Sequence, residues 1–320
     1  MLDPHRPSSR RTPAWLRPSL YPALLVATAA LCTHAIVADL ALERMVGVVM
    51  VGLVVGLTGL ERLVPYRRDW QPHGSEWTRD GLYIVQGAVF GGLAQGLVAT
   101  AAVMLAPGDN GLPLWAAAPM AIVLTDLCTY TFHRFVHSND WMWREHGVHH
   151  VTDKVNTLNA NTAHFLDIFL NNIAALGPLL LLGFSAPALF IASMARAVQT
   201  LGAHANIDVE LGWLGHVVMG PEHHRLHHSA DADDAGNYGT IVTLWDRVFG
   251  TFRWSPGRQA RVVGVRAPHG FPDAQRIWAS ALHPFVRGEE SCGGSSQPGP
   301  HHGPEPAPPK DRHCLRGAHR

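Results

Sequence analysis

Residues 111–137 read GLPLWAAAPMAIVLTDLCTYTFHRFVH. The first twenty are almost wholly apolar, enough to cross the hydrocarbon core of a bilayer as a helix. They run directly into two histidines spaced four apart, His133 and His137. At that spacing two imidazoles share one helix face, about a turn apart. Three more stretches have the same apolar character: 19–38, 45–60 and 81–107. A fifth, 173–193, contains Gly177-Pro178 and Pro187. These make it a poor straight span but suit a helical hairpin that dips in and returns. Only 16% of the 320 residues are charged, where soluble domains carry about 25%. The sequence predicts an all-α integral membrane protein with about four transmembrane helices plus a membrane-dipping hairpin. The first apolar run is expected to stay in place rather than be cleaved as a signal peptide.

Basic residues orient the spans. Arg6, Arg10, Arg11 and Arg17 precede the first, Arg62, Arg67 and Arg68 separate the second from the third, and Arg134, Arg144 and Lys154 follow the fourth. The loops DLALER (39–44) and PGDN (107–110) hold a single arginine between them. The N-terminus and the histidine clusters are therefore expected on the cytoplasmic side, facing inward from the plasma membrane in a bacterium. Residues 1–18 are read as a cytoplasmic segment, 19–287 as a membrane-embedded domain, and the Gly-, Pro- and His-rich 288–320 as a disordered tail. Four cysteines (Cys32, Cys128, Cys292, Cys314) form no C-x-x-C pair, so neither a disulfide framework nor a thiolate zinc site is indicated. A formal net charge of zero argues against a nucleic-acid partner.

Beyond HRFVH, the sequence gathers histidines twice more, as His146-x-x-His149-His150 and His224-x-x-His227-His228. Each triplet at i, i+3, i+4 is expected to converge on one metal, and imidazole suits iron, zinc and copper. A basic segment binding anionic lipid would use Lys and Arg instead. Eight imidazoles exceed the capacity of one ion, so two are implied. Oxidation of an unactivated C–H bond would select iron over redox-inert zinc, although spacing alone leaves zinc open as a substitute. The rival reading is a non-catalytic metal-binding or transport protein, but the histidines crowd outside the spans rather than lining a path through them.

HRFVH, HGVHH and HHRLHH in this order, with apolar spans before and between them, resemble the fatty acid hydroxylase/sterol desaturase superfamily. HANID (204–208), NYG (237–239) and WDRVFGTF (245–252) extend the similarity. The resemblance implies a helical membrane bundle carrying a cytoplasmic, histidine-rich di-metal cap, which uses O2 and external electrons to hydroxylate or desaturate lipids. It also implies the ligand set His133, His137, His146, His149, His150, His224, His227 and His228. His204 would be a further ligand, or else a residue that supports one. One segment departs from the family: where bacterial relatives carry R-x-H-P-x-E, this chain has NTAHFLDIF (161–169), with His164 near the arginine position and Asp167 near the proline. His164 is weighed as a replacement ligand against a residue shaping a different substrate pocket. His223 is read as a solvent-facing or supporting group before a ligand, and His216 as interfacial.

Ligating imidazoles need an acceptor for the second ring nitrogen. Asp126 and Tyr130 lie on the face of His133 and are candidates for that work. Asn206, Asp208, Asn237 and Asp246 are further candidates, with a turn or cap role as the alternative for Asp246. Trp141 and Trp143 fit an interfacial aromatic belt, with lining of the substrate path as the alternative. Gly-rich 87–96 permits close helix approach or a groove. No Rossmann, haem or iron–sulfur motif is present, so electrons are expected from a separate ferredoxin or reductase, and the substrate from the bilayer.

Overall fold

The computed structural model describes residues 12–105, 108–265 and 270–286. The N-terminal arginines Arg6, Arg10 and Arg11, the proposed tail 288–320, Cys292 and Cys314 lie outside the described residues. Within them the chain is helical, with only isolated bridges such as Pro65–Ile207 and Val218–Val242. The α-helices are α1 (Arg17–Val37), α2 (Leu42–Leu63), α3 (Glu76–Leu105), α4 (Leu114–Ser138), α5 (Asp140–His150), α6 (Phe165–Leu181), α7 (Ala186–His204), α8 (Pro221–His227), α9 (Leu244–Val248) and α10 (Ile277–Leu282). The first four are long and apolar enough to cross a membrane.

Their packing is that of helices in lipid. On α2, Val49, Leu53, Leu57 and Glu61 recur every four residues and face inward. Val48, Val51 and Val55 on the other side are more than 60% exposed, which water would penalise and hydrocarbon does not. The buried stripe of α2 and Tyr21, Cys32 and Ala35 of α1 pack on Phe190, Met194, Val198 and Leu201 of α7. Ala117 and Ala121 of α4 meet Ala188 and Ala192 of α7, where small side chains bring the two helices close together. α3 packs along α6, with Phe90 and Phe165 rings 4.8 Å apart. Only part of the Gly-rich face of α3 is used: a Cβ on Gly87 would lie 3.0 Å from Asn161 Oδ1, whereas Gly92 and Gly96 face open space.

The hairpin is longer than the apolar run 173–193 suggested, and it turns elsewhere. Pro178 sits inside α6, and Pro187 occupies the first turn of α7, where its missing N–H costs nothing. The turn falls at 182–185, at the end of the bundle remote from the histidines. There Asn110 of the α3–α4 loop donates to Gly183 O (2.9 Å) and Leu182 O (3.3 Å). Both open ends of the hairpin, His164 and His204, return to the histidine end.

α4 and α3 are longer than a span requires. The last turn of α4 carries His133 and His137 past the apolar segment. Asn139 then ends α4 and caps α5, its side chain accepting from the N–H groups of Trp141 and Met142, as N-cap asparagines do. That reversal folds the next histidines back over the end of α4.

Candidate metal centre

Five imidazoles, His133, His137, His146, His150 and His227, each offer a ligand nitrogen within 4.8 Å of the others. Four more, His149, His204, His224 and His228, form a second such group. The groups adjoin: the rings of His150 and His228 stack at 4.3 Å. All nine nominated ligand positions lie in one group or the other.

Their division corrects the expectation that each H-x-x-H-H triplet serves one ion. His146 and His150 enter the first group while His149 enters the second; His224 and His228 enter the second while His227 enters the first. Helix geometry dictates the exchange. Residues i and i+4 are offset by only about 40°, but neighbours at i+3 and i+4 diverge by about 100°. The His149–His150 and His227–His228 ring pairs accordingly stand 5.5 Å apart and perpendicular. Each box thus supplies two rings to its own group and one to the other.

Hydrogen bonding shows what fits between the rings. His133 Nδ1 donates to Tyr238 O (2.9 Å), His149 Nδ1 to Thr162 O (3.1 Å), His227 Nδ1 to Gly236 O (2.9 Å) and His146 Nδ1 to the Asp167 carboxylate (3.0 Å). His204 Nδ1 faces Asn159 Oδ1 at 3.3 Å. A carbonyl or carboxylate can only accept, so the proton sits on Nδ1 and the inner Nε2 of each neutral ring is a bare lone pair. Those lone pairs face one another: His133 Nε2 is 3.2 Å from His146 Nε2, and His149 Nε2 is 3.2 Å from His204 Nε2. With the rings neutral, neither atom in either pair has a proton to share. Nitrogens bound to one ion at about 2.0–2.1 Å sit roughly 3 Å apart, so a cation between them turns repulsion into ligation. His137 Nε2 and His227 Nε2 are buried without a partner, as ligand atoms would be.

Burial favours the neutral form of His149, His150, His224, His227 and His228. It lowers the His149 pKa to about 4, with the neighbouring His146 adding to the effect. His150, His224, His227 and His228 fall well below the ordinary value for the same two reasons, burial first and adjacent imidazoles second. Neutral imidazole is the form that binds metal.

The residues nominated to hold the outer nitrogens do other work. Asp126 touches no histidine: its carboxylate accepts from the N–H groups of Thr240 (2.9 Å), Ile241 (2.6 Å) and Val242 (3.2 Å). Asp246 accepts from Tyr238 N, Gly239 N and Thr251 Oγ1 at 2.6–2.8 Å. Tyr130 bonds Thr251 Oγ1 (3.0 Å). Together they fix the segment 238–242, whose Tyr238 carbonyl in turn holds His133. Asn237 has a φ of +56°, donates to His223 O and accepts from Arg253 N (2.9 Å). At Gly239 a Cβ would meet Val242 O at 2.7 Å, which explains the N-Y-G pattern sterically. Asn206 binds the Arg67 backbone on both sides of its amide, and Asp208 pairs with Arg17 at 3.1 Å.

His164 stands outside both groups. It caps α6, Nδ1 accepting from Leu166 N (3.2 Å) and Nε2 donating to Ala281 O (3.0 Å), so both nitrogens are engaged. His223 also lies outside them and, contrary to a solvent-facing reading, is fully buried: Nε2 donates to Gly215 O (2.9 Å) and the ring packs on Trp254. Trp143 is not confined to an interfacial belt, since its ring lies 5.0 Å from His137 and 5.4 Å from His150. His216 stays near the surface and accepts from Arg247 (2.9 Å).

Sequence reasoning missed Asp167 as the partner of His146, Asn159 beside His204, and the carbonyls of Thr162, Gly236 and Tyr238. It also missed Glu61 of α2, fully buried, whose Oε1 accepts from Thr157 N, Thr157 Oγ1 and Asn206 N at 2.7–2.8 Å. A carboxylate at the very end of an apolar run was the available signal for Glu61. Carbonyl partners leave no mark on residue type.

Comparison with known proteins covers the same stretch of chain. The sequence model of the fatty acid hydroxylase family matches residues 118–251, the stretch from α4 through α9. The ornithine lipid hydroxylase OlsE of Rhizobium tropici is 29% identical over 88% of this chain and 87% of its own. Alkylglycerol monooxygenase of Danio rerio is 30% identical over 51% of this chain and 35% of its own. Methylsterol monooxygenase 1 of Rattus norvegicus is 29% identical over 40% of this chain and 44% of its own. This chain therefore spans most of the first relative but less than half of the other two. No solved structure matches it.

Proposed function

Because the chain belongs to the fatty acid hydroxylase/sterol desaturase superfamily, an integral membrane group of oxidoreductases, we propose that it is a non-haem di-iron enzyme. It uses O2 to hydroxylate or desaturate a membrane lipid, with electrons from a separate ferredoxin or reductase. The observation that carries this reading is the facing of bare imidazole nitrogens in two adjoining groups. His133, His137, His146, His150 and His227 would hold one ion, and His149, His204, His224 and His228 the other. Iron bound there would supply the redox change that O2 chemistry at an unactivated C–H bond demands and that zinc lacks.

The chain's own residues do the positioning. Asp167 and the carbonyls of Thr162, Gly236 and Tyr238 hold the outer N–H groups, fixing ring angle and tautomer. Asp126 and Asp246 lock the loop that presents Tyr238. The rings of Trp143 and Tyr238 lie against the first group, Tyr238 within 5.1–5.7 Å of His133, His137 and His227, and limit water there. The excess of Arg and Lys at this end supports a site on the cytoplasmic face, the inner face of the plasma membrane in a bacterium. Substrate enters sideways from the bilayer and presents one carbon at the membrane edge.

Hydroxylation is favoured over desaturation by the names of the relatives, and an ornithine lipid or similar lipid over a sterol by the ornithine lipid hydroxylase that matches 88% of this chain. The test is expression with a compatible reductase, followed by untargeted lipid mass spectrometry. A gain of one oxygen supports hydroxylation and a loss of two hydrogens supports desaturation, provided either vanishes in a folded His149→Ala variant. Iron-loaded protein that changes no lipid in the presence of a working donor would overturn the reading.

A further inference from the structure

Arg196 occupies a place in the hairpin that the chemistry above does not use. It lies on α7 about 12 Å of helix from His204 and about 15 Å from Ala186 at the remote end, roughly midway along the helix. The residue is only partly buried. Nη1 donates to Asn171 Oδ1 (3.1 Å) and Nη2 to Asn172 Oδ1 (2.7 Å), both on α6. Those partners are neutral amides, and among the described residues no carboxylate lies within ion-pair distance. Several other cations do pair with carboxylates: Arg79 with Asp80 at 2.7 Å, Lys154 with Glu76 at 2.7 Å and Arg17 with Asp208 at 3.1 Å. A guanidinium does not shed its proton in proteins, so neutralisation by titration is closed to it. At this depth the uncovered part faces lipid or a cleft between helices, not bulk water, and a charge there needs a counter-charge.

The surroundings are built to keep this seam polar. Asn171 lies one turn, about 6 Å, deeper along α6 than Asp167, on the same face, and Asp167 is the carboxylate that holds His146. Asn172 is accommodated by Gly91 of α3, where a Cβ would stand 3.6 Å from its amide nitrogen, and Asn161 by Gly87. Polar side chains thus descend from the metal groups to the guanidinium, and the glycine face of α3 gives them room.

We propose that Arg196, backed by Asn171 and Asn172, binds the anionic group, carboxylate or phosphate, of a bilayer lipid. The planar fork of a guanidinium matches both oxyanions and leaves donors beyond the two taken by the asparagines. The substrate is then an anionic lipid whose charged end is drawn below the histidine groups. The carbons offered for oxidation are those near that end rather than at the chain terminus. Only the word substrate rests on the lipid-oxidising reading; the binding stands without it.

The test uses full-length protein in phosphatidylcholine nanodiscs doped with phosphatidylglycerol, oleate, or neither, with retained lipid counted by native mass spectrometry. Wild type is expected to retain an anionic probe over phosphatidylcholine by about tenfold or more, the worth of one charge-assisted contact. Preference for oleate names a carboxylate and preference for phosphatidylglycerol a phosphate. Arg196→Gln should lose the preference and Arg196→Lys keep part of it. A merely structural tie between α6 and α7 predicts a different pattern: Arg196→Gln and the Asn171→Ala/Asn172→Ala double variant would melt lower by the same margin in every lipid. That result, or wild type without an anionic preference, overturns the proposal even if Arg196→Gln fails to fold. Lipid oxidation is scored separately, so an inactive protein that still selects anionic lipid would sink the enzymatic reading and leave this one standing.

Discussion

Replacing Asp167 tests the logic of the metal centre at one bond. The carboxylate sits 3.0 Å from His146 Nδ1, is 7% exposed and occupies the first turn of α6. Removing the outer partner of a metal-binding histidine typically weakens affinity about 10–100-fold, or roughly 1.4–2.8 kcal/mol. Asp167→Ala also strands a buried N–H, at about 1–3 kcal/mol, and removes a favourable charge at a helix start, at about 0.3–1 kcal/mol. Asp167→Asn keeps an acceptor and should lie near the mild end of that range. His146 belongs to the five-histidine group alone, so the damage should be selective. Titration of the metal-free protein with ferrous iron under anaerobic chelator competition should show one weakened and one nearly normal affinity in Asp167→Ala. His149→Ala should give the complementary pattern. Two unchanged affinities in Asp167→Ala would refute the argument that the carboxylate orients a ligand.

Three other perturbations follow from the same geometry. At Gly147 a Cβ would lie 2.3 Å from the Phe271 ring, so Gly147→Ala should cost about 1–3 kcal/mol by overpacking; thermal melting should show part of it restored by Phe271→Leu, and no restoration would contradict the contact. Asp126→Ala strands three backbone N–H groups and should cost about 3 kcal/mol or more, with Asp126→Asn milder; equal melting of Asp126→Ala and wild type would mean that the 240–242 segment is held some other way. Lowering pH separates stability from loading. His149 has a folded pKa of about 4, below its unfolded value of about 6.5. Its stabilising contribution is present above pH 6.5 and is lost as pH falls toward 4, because the unfolded chain takes up a proton that the folded one refuses. That loss approaches about 3 kcal/mol at 1.36 kcal/mol per pH unit. In metal-free protein the denaturation midpoint should drop across this window, yet iron binding at pH 5.5 should persist in the fraction still folded. Binding lost at pH 6.5 would show that the rings are not kept neutral by burial.

Much of this arrangement is legible in residue order. Apolar length marks α1–α4 and histidine spacing nominates eight of the nine imidazoles, because both are properties of one helix read along its axis; His204 came only with the family resemblance. What the order conceals is three-dimensional. The exchange of His149 and His227 between groups depends on how α5 and α8 face each other, which no single box records. The acceptors for His133, His149 and His227 are main-chain carbonyls, available at any residue type. Asp126 sits on the correct face for His133 but lies too deep and meets the 240–242 backbone first, so helical periodicity alone assigned it the wrong partner. His164 resembled a substitute ligand because it lies in the family's histidine segment, but capping α6 and bonding Ala281 consume both its nitrogens. The length of the hairpin was hidden by Asn171, Asn172, Arg196 and Gln199, polar residues that interrupt the apolar run yet lie within the helices.

The central claim is that nine imidazoles enclose two redox-active ions. It is tested most directly by iron analysis and iron K-edge X-ray absorption on protein purified without oxygen. About two irons per chain, in an all nitrogen-and-oxygen environment with strong imidazole scattering and an edge that shifts on oxidation, is the predicted result. A single ion, sulfur ligation, or a folded protein that takes up zinc and refuses iron would contradict it.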